Sequence, residues 1–397
     1  GNGNTTSMTT PDGTTSYEYD PLDRLVKTTN PDGTTESYEY DKLGNMTAMT
    51  DENGNRTQYV LDGNGNIVES IDALGTSAKF TYDKVGNLSK VDLHRIDSQD
   101  KVDEHEITLY SYDGRGLVTT VIDAENNQIA YKYDGNGNMI EQIDQDGYVT
   151  TYAYSPIDLV SSINYNDAKE VHYAYNKVGE LVRMEDWLGT TTYEVNLLRQ
   201  LTSVTDHKGR TVAYTYDPVG NLLVTTDANG NETKTEYNAI NAAVKQIDGE
   251  GNETTYTYDK VGRLLTETDA LGGVTAYTYD LAGNQLSVTD PEGNVTKYIY
   301  DLLGRAVEQI NADGSKTRTV YDALGRTTES YDELGGKTAT TYDANGNQLT
   351  VTDPKGNKTS YQYNRKDQIT VITYADGGET HYTYNALGNV SEVTDQN

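Results

Sequence analysis

The sequence predicts an all-β repeat protein of about 18 antiparallel β-hairpins that form one continuous curled or spiral sheet, a hollow β-shell or tube. Three observations carry this prediction. A marker with the common form Tyr-x-Tyr-Asp, as in Tyr256-Thr-Tyr258-Asp259, recurs along the chain. The segments between markers alternate apolar and polar residues, and Gly-rich turns separate these segments. Such regularity is typical of repeat architectures, so residues 1–397 are interpreted as a single repeat array.

The repeat period is 21 residues. The polar residue that ends the marker occurs eighteen times, twelve times as Asp, five as Asn and once as Ser. Fifteen of the seventeen intervals are 21 residues long, one is 30 and one is 20. A disordered acidic chain has no reason to hold such a register, so the period favours a folded array. The markers end at residues 20, 41, 62, 83, 113, 134, 155, 176, 196, 217, 238, 259, 280, 301, 322, 343, 364 and 385.

Each repeat predicts one hairpin. Between Asp280 and Tyr300, two alternating runs flank a turn in which Pro291 fixes φ and Gly293 supplies a positive φ. The three-residue loop places Leu286 opposite Tyr298 and Val288 opposite Thr296. One face of the sheet should therefore carry aliphatic and Tyr side chains, and the other mainly Thr, Ser, Gln, Lys and Glu.

The turn after each marker returns the chain to the next hairpin. The turn is counted from the polar residue that ends the marker. Its fourth residue is Gly in thirteen copies, Asp in three and Asn in one, and only Arg199 departs from this set. Gly, Asn and Asp best tolerate a left-handed backbone, and the marker side chain is expected to hydrogen-bond its own turn. The structural repeat markers singled out here are Tyr256, Tyr258, Asp259, Gly262, Tyr298, Tyr300, Asp301 and Gly304.

The number of strands predicts the curl. About 36 strands, each roughly 20 Å long and lying at the usual spacing of about 4.8 Å, would make a sheet roughly 170 Å wide. A twisted sheet of that width curls rather than staying flat and open. We therefore expect a hollow wall one sheet thick.

Composition limits the function classes. Leu, Val, Ile and Phe number 74 of 397, and 34 Tyr supply the missing apolar area. The net charge of −31 opposes binding to nucleic acid and to anionic membrane surfaces. No apolar run is long enough to insert into a membrane, no signal peptide is present, and there is no Cys for disulfides or thiolate chemistry. The chain starts without Met inside a repeat-like segment, so we expect an excised piece of a longer protein.

The period breaks at two places. The 30-residue interval lengthens a hairpin tip at about 93–105, which is expected to be a tolerated decoration or a partner-contact loop. The 20-residue interval lies in an irregular seam at about 186–200, where Trp187 is the only Trp, Val195 replaces the second Tyr and Arg199 replaces the turn Gly. The wall is expected to bend there or to touch something inside it.

No residues are spaced like a catalytic site. The five His residues are scattered, so we expect no enzyme activity, and we expect no cofactor or metal. Calcium is the most reasonable metal alternative, because Asp62-Gly-Asn-Gly-Asn66 begins like an EF-hand loop. However, Ile67 occupies the position that requires Gly, and turn chemistry explains the same residues.

The pattern Gly-Asn-x-x-x-x-x-Thr-Asp-x-x-Gly-Asn-x-Thr-x-Tyr-x-Tyr-Asp, clearest in 283–301 and 346–363, resembles the YD-repeat or RHS family along essentially the whole chain. That family includes bacterial polymorphic toxins, wall-associated proteins, toxin-complex cocoons and teneurins. The resemblance implies a spiral β-shell of a secreted or cell-surface bacterial protein, with a C-terminal toxin or effector domain enclosed in the lumen as its partner. Nothing after Asn385 resembles the family's self-cleaving core segment or a toxin.

Two functions stay open from the sequence. The first is a non-enzymatic, encapsulating scaffold. The alternative is an extracellular adhesion surface whose Tyr, Asn and Asp residues bind a glycan or a surface protein, and a hydrolase is a third, weaker reading. An empty lumen without glycan affinity favours the scaffold, whereas saturable glycan binding favours the adhesin.

Overall fold

The computed structural model describes residues 3–10, 13–96, 103–166 and 168–395. Within these ranges every regular element is a β-strand, and the strand ladders join strands that follow one another in the chain, always antiparallel. The described residues form 37 strands of one sheet, close to the 36 expected. The predicted all-β fold built from antiparallel hairpins is confirmed.

The strands recur at the predicted interval, two to each repeat. In the first part of the chain they are β1 (Ser7–Thr10), β2 (Gly13–Tyr19), β3 (Leu25–Thr29), β4 (Thr35–Tyr40), β5 (Met46–Thr50), β6 (Arg56–Leu61), β7 (Ile67–Ile71), β8 (Ser77–Tyr82), β9 (Leu88–Ile96), β10 (Asp103–Tyr112), β11 (Val118–Ile122) and β12 (Gln128–Tyr133).

The middle of the chain continues the same arrangement. Its strands are β13 (Met139–Ile143), β14 (Val149–Tyr154), β15 (Val160–Tyr165), β16 (Glu170–Tyr175), β17 (Leu181–Asp186), β18 (Gly189–Val195), β19 (Leu201–Thr205), β20 (Thr211–Tyr216), β21 (Leu222–Thr226), β22 (Glu232–Tyr237), β23 (Ala243–Ile247), β24 (Glu253–Tyr258), β25 (Leu264–Thr268) and β26 (Val274–Tyr279).

The last part completes the set. Its strands are β27 (Gln285–Thr289), β28 (Val295–Tyr300), β29 (Ala306–Ile310), β30 (Lys316–Tyr321), β31 (Thr327–Tyr331), β32 (Lys337–Tyr342), β33 (Gln348–Thr352), β34 (Lys358–Tyr363), β35 (Ile369–Thr373), β36 (Glu379–Tyr384) and β37 (Val390–Asp395).

Backbone contacts divide the chain into two compact units. Unit 1 contains the described residues of 1–128, 278–288 and 295–397, and unit 2 contains those of 129–277 and 289–294. Two kinds of turn border the sheet in each unit. Hairpin tips join the two strands of one repeat, and marker turns, each five residues long and beginning with the marker, join one repeat to the next.

The hairpin tips have the expected turn geometry. The Asp290 N–H donates to the Asn294 carbonyl at 3.0 Å, the Gly293 N–H donates to the Asp290 carbonyl at 3.0 Å, and Gly293 has φ +85°. In a later hairpin Val351 pairs with Thr359, which is the register predicted for that repeat. Turn chemistry read from the sequence therefore sets the strand register.

A β-bulge before the second Tyr of each repeat modifies the expected faces. Between β24 and β25, Thr257 pairs with Thr266 and Tyr258 with Leu264, so Leu265 is the extra residue. A bulge turns its extra residue away from the regular alternation, and Leu265 is 37% exposed. The alternation predicted from the sequence is therefore broken at this position of the strand.

The sheet has almost no buried core in the described residues. Ala48 and Val171 are the buried hydrophobic residues there, and no large side chain among them is fully buried. Within each unit, the contacts between described strands join strands that follow one another in the chain. Cross-strand neighbours and turns must therefore supply most of the stability. Across the described ranges, no helix is long and apolar enough to span a membrane.

Both irregular intervals lie at hairpin tips. The 30-residue interval contains the longest strands, β9 and β10, and its residues 97–102 lie outside the described ranges. The 20-residue interval contains a tight hairpin in which Asp186 pairs directly with Gly189 across Trp187 and Leu188. This two-residue turn accounts for the missing residue, because regular tips hold three residues between their paired ends.

Unit 1 contains an edge-to-edge seam between segments about 240 residues apart. Asn345 Nδ2 donates to Glu106 Oε2 at 2.6 Å, and the Arg365 N–H donates to Glu125 Oε1 at 2.8 Å. Lys366 Nζ lies 2.9 Å from Asp123 Oδ2. Marker turns of the later repeats thus rest on strand β10 and on the hairpin tip at 123–127 within this unit.

Candidate functional site: the marker turn

The marker carboxylate organises its own turn. Asp259 Oδ1 accepts hydrogen bonds from the backbone N–H groups of Val261 and Arg263, each at 2.9 Å. Its Oδ2 accepts a bond from Arg263 Nε at 2.7 Å. The Gly262 N–H donates to the Asp259 carbonyl, and Gly262 has φ +89°. Both carboxylate oxygens are therefore used within the turn.

The second copy singled out from the sequence has the same geometry. Asp301 Oδ1 accepts bonds from the N–H groups of Leu303 and Arg305 at 3.0 Å, and Oδ2 accepts one from Arg305 Nε at 2.7 Å. Gly304 has φ +72°. In the first copy, burial alone would raise the pKa of Asp259, but the hydrogen bonds from Arg263 outweigh burial and lower that pKa.

The second Tyr of the marker, at the end of a repeat, hydrogen-bonds to the backbone at the start of that repeat's first strand. Tyr258 Oη donates to the Ala243 carbonyl at 2.7 Å, and Tyr300 Oη donates to the Gln285 carbonyl at 2.7 Å. In each case the acceptor is the first residue of the same repeat's first strand, and at Ala243 a bulge interrupts the ladder with the preceding strand. The same bond forms in the repeats with Tyr40, Tyr82, Tyr154, Tyr175, Tyr216, Tyr237, Tyr321, Tyr342, Tyr363 and Tyr384.

The first Tyr of the marker has a different role. Tyr256 Oη donates to the exposed Gln246 side chain at 3.0 Å, and burial of the ring raises the pKa of Tyr256. Tyr298 lines an open cavity of unit 1 together with Leu286 and Asn30. The structure therefore places the eight marker residues in repeated turn and strand positions rather than bringing them together at one site.

The Tyr258 bond gives a measurable prediction. We expect Tyr258→Phe to destabilise its hairpin by about 1 kcal/mol, because it leaves the Ala243 carbonyl without its side-chain donor. Tyr256→Phe is the matched control, since its partner is an exposed side chain that water satisfies. Amide hydrogen exchange of 243–258 measures both, and equal effects of the two variants would contradict the prediction.

The fourth residue of all eighteen marker turns has a positive φ. This includes the five that are not Gly, whose φ values run from 58° to 65°: Asp23, Asp158, Arg199, Asn241 and Asp367. The left-handed turn predicted from the residue types is therefore kept in all eighteen turns, including the one with Arg199, whose residue type does not favour it.

A side-chain pairing accompanies these five exceptions. Four of them contact the fifth residue of the preceding marker turn, and Asp23 contacts Asn4, which lies before the first marker. Asn138 Nδ2 donates to Asp158 Oδ1 at 2.8 Å, and Arg199 Nε lies 3.6 Å from Glu180 Oε1. The other pairs are Asn4 with Asp23, Asn221 with Asn241 and Asn347 with Asp367. Sequence reasoning missed these pairs, although the coincidence of residue types 19 or 20 residues apart was available as a signal.

Arg199 offers a direct test of the free-energy cost of a positive φ at the fourth residue of a marker turn. Its contact with Glu180 is long and its side chain is 70% exposed, so the contact contributes little. We expect Arg199→Gly to stabilise the turn by about 0.5–1 kcal/mol, because Gly adopts the positive φ without strain. Gly262→Ala is the reciprocal control and should destabilise its own turn. Hydrogen exchange across 196–201 and 259–264 reads both changes, and a destabilised Arg199→Gly would contradict the expectation.

The fifth residue also links consecutive marker turns. Arg326 Nη1 donates to the Asp343 carbonyl of the next turn at 2.8 Å, and its guanidinium lies 4.8 Å from the Tyr342 ring centre. Arg24 makes the same two contacts with Asp41 and Tyr40. At both places the fifth residue thus connects its own marker turn to the next one by a hydrogen bond and a cation–π contact.

The His residues and the acidic segments singled out from the sequence make ordinary side-chain contacts. His94 and His105 stack at 4.8 Å, and His105 Nδ1 lies 2.7 Å from Asp92 Oδ1. Within the described residues, no three His, Cys, Asp or Glu side chains are placed to hold a metal ion. In the calcium-like segment, the oxygens of Asp62 accept bonds from the Asn64 and Asn66 backbone and the Asn66 side chain.

Solved structures with the same fold come from toxin complexes. The Tc holotoxin pore of Photorhabdus luminescens, in a TccC3-D651A variant, has a TM-score of 0.72 at 14% identity over 96% of this chain and 26% of that chain. A TcdB2-TccC3-TEV structure has a TM-score of 0.56 at 14% identity, with 96% and 26% covered. A TcdB2-TccC3 structure without its hypervariable C-terminal region gives 0.53 at 18%, with 96% and 21% covered. This chain therefore spans about a quarter of those chains or less.

Family models match most of the sequence. The model described as Teneurin YD-shell matches residues 3–188 and 186–352, and the model described as RHS Repeat matches 342–379 and 363–397. No curated protein matches the sequence. The matched segments contain the marker turns and Tyr bonds described above, and the resemblance seen in the sequence is confirmed. The chain belongs to the YD-repeat, or RHS-repeat, shell family.

Proposed function

We propose that this chain is a non-enzymatic structural scaffold, the wall of a hollow YD-repeat shell that encapsulates a C-terminal toxin or effector domain of an exported bacterial protein. In this proposal residues 1–397 are a single YD-repeat array, and the parent protein is secreted or held at the cell surface. The partner is the enclosed domain, with neither nucleic acid nor membrane insertion involved.

The seam within unit 1 carries the proposal. There, marker turns rest on strand β10 and on the hairpin tip at 123–127, about 240 residues earlier, through Asn345, Arg365 and Lys366. A sheet that meets its own edge in this way builds a wall larger than any one hairpin, without a conventional core. The fold shared with toxin-complex structures supports the same role.

The state of the marker carboxylates supports a structural role. Burial would raise the pKa of Asp322, but hydrogen bonds from Arg326 hold that pKa below its usual range. A carboxylate that is ionised and already hydrogen-bonded is a poor proton acceptor at neutral pH. The repeated marker Asp residues are thus suited to stabilising their turns through hydrogen bonds.

Electron micrographs of the isolated chain at low concentration test the proposal. We expect particles with a thin wall around an empty lumen. A filled particle or a flat ribbon would contradict the scaffold. Testing the same sample on a glycan array separates the two functions, since the scaffold predicts no saturable binding.

One observation favours the alternative of an adhesion or glycan-binding surface. Trp187 is 57% exposed at a hairpin tip, with the Tyr165 ring edge-on at 6.4 Å and Lys169 Nζ 5.3 Å from its ring centre. Exposed aromatic rings beside a polar group are suited to stacking on sugars. Because Trp187 is the only Trp, its fluorescence reports this tip alone. A saturable emission change with an oligosaccharide from the array would support the adhesin; an unchanged spectrum would count against it.

A further inference from the structure

We propose that the open cavity of unit 1 is a binding site for a small organic ammonium ion, a protonated amine carried on an aliphatic or aromatic body. The cavity has a volume of about 790 Å³. Small-molecule sites usually have volumes of roughly 300–1,000 Å³. Residues of the hairpin tips at 30–34 and 51–55 line one side, and residues of the marker turns at 280–284 and 301–305 line the other. This inference concerns unit 1 alone and does not depend on an enclosed cargo.

One part of the cavity wall is apolar and accessible. Leu281 is 55% exposed, Leu302 59% and Ile299 47%, and all three line the cavity. Tyr298 lines it as well. Moving a hydrocarbon body from water onto such groups is favourable in proportion to the apolar area that is covered, and an aromatic ring attracts a cation over its face. This part of the wall therefore suits a ligand that combines an apolar body with a positive charge.

Carboxylates give the rest of the wall its charge. The acids that line the cavity are Asp32, Glu52, Asp280 and Asp301, and no Lys or Arg of the described ranges lines it. Arg305 lies outside the lining, and its Nη2 is 2.7 Å from Asp301 Oδ2. Even with Arg305 counted against Asp301, the wall keeps a net negative charge. The cavity therefore attracts a cation and repels an anion.

Glu52 lies beside other acids. Burial raises the pKa of Glu52, and the neighbouring Glu36 and Asp51 carboxylates raise it further. Asn30 Nδ2 donates to Glu52 Oε1 at 3.4 Å, and Tyr38 Oη donates to Glu36 Oε2 at 2.6 Å. These donors are neutral, so they do not cancel the repulsion between the two Glu side chains. An ammonium ion held in the cavity next to Glu52 offsets that repulsion.

The same tip chemistry also occurs outside the cavity. Asn311 Nδ2 donates to Glu333 Oε1 at 2.5 Å, as Asn30 Nδ2 donates to Glu52, and both acids occupy the second position of a hairpin tip. Glu333 is exposed and is not among the residues that line the cavity. Glu333 is therefore a matched control for Glu52, because it has the same local partner without the apolar wall of this cavity.

Isothermal titration calorimetry of the full chain with phenethylamine, at neutral pH and low salt, tests the proposal. We expect saturable binding with a Kd of about 1 mM or tighter. Phenethyl alcohol has a similar body without the charge, and ammonium chloride supplies the charge without the body. Each should bind at least about tenfold more weakly, because the cavity wall needs both parts of the ligand. Phenethylamine binding no tighter than either control overturns the proposal.

Four variants test where the amine binds. Glu52→Gln should weaken phenethylamine binding about fivefold, whereas Glu333→Gln should leave it unchanged. Leu302→Ser should weaken it by a similar factor, and Leu197→Ser is its control, since Leu197 occupies the same marker-turn position in unit 2. Equal affinities within either pair overturn the assignment of the site to this cavity. Circular dichroism of each variant verifies that the fold is retained.

Discussion

Asp322→Ala is expected to lower the local stability of its marker turn by about 2 kcal/mol. The substitution removes three hydrogen bonds at once, from the N–H groups of Leu324 and Arg326 at 2.9 Å and from Arg326 Nε at 2.7 Å. It also frees a guanidinium that contacts Tyr342 and the Asp343 carbonyl of the next turn. Hydrogen exchange of 316–331 measures the local opening.

Asp322→Asn is the matched control. It keeps the acceptor for the two backbone donors but loses the charge that holds Arg326, so we expect about half the effect. Several markers in this chain are naturally Asn, as at Asn176 and Asn238. An Ala variant no less stable than the Asn variant would show that the side-chain acceptor does not hold the turn.

The same carboxylate makes the turn sensitive to acid. Because the pKa of Asp322 is lowered in the folded chain, its stabilising contribution is present above its unfolded pKa and is lost as the pH falls below about 4. The Asp322→Asn variant should lack this part of the loss of stability in acid. Hydrogen exchange at pH 7 and at pH 3 compares the unchanged chain with this variant.

The sequence was sufficient to predict the repeat because its signals are local. Residues such as Gly262 and Gly293 are required by turns of a few residues, and the alternating runs between them have the period of a strand. The marker carboxylate's bonds to its own turn follow from the same short-range chemistry, as Asp259 and Asp301 both illustrate.

Contacts beyond one turn were not predictable in the same way. The Tyr258 bond lies within one hairpin, but it depends on a bulge that leaves the Ala243 carbonyl at the end of a ladder, and periodicity does not encode that displacement. The contacts of Lys366 and Asn345 join segments about 240 residues apart. Which segments meet depends on the curvature of the sheet, and the residues of either segment do not encode it. The pairing of Arg199 with Glu180 belongs to an intermediate class, since its residues lie at a fixed offset of about one repeat.

Lys366→Glu is expected to open the seam within unit 1. The Lys366 ammonium and the Asp123 carboxylate are each about one-fifth exposed and lie 2.9 Å apart. Burial would raise the pKa of Asp123, but its bonds to Lys366 and Asn127 outweigh burial and lower that pKa. Replacing the cation by a second carboxylate leaves two like charges in contact, at a cost of about 1–3 kcal/mol after solvent screening.

The opening can be measured at both edges of the seam. Hydrogen exchange should increase in 123–127 and in 364–368 together, because each segment protects the other, while the β-ladders on either side keep their protection. Lys316→Glu is the matched charge reversal away from the seam. The Lys316 side chain is 56% exposed and pairs with Glu308 of the neighbouring strand, so we expect a smaller change that does not reach 123–127 or 364–368.

A charge swap separates the ion pair from other effects of the substitution. Asp123→Lys combined with Lys366→Glu restores opposite charges across the seam, and protection of both segments should return toward that of the unchanged chain. If the double variant stays as open as Lys366→Glu alone, the seam depends on the shape of Lys366 rather than on its charge. If Lys366→Glu leaves both segments protected, the Glu106 and Glu125 contacts suffice to hold the seam, and the ion pair contributes little.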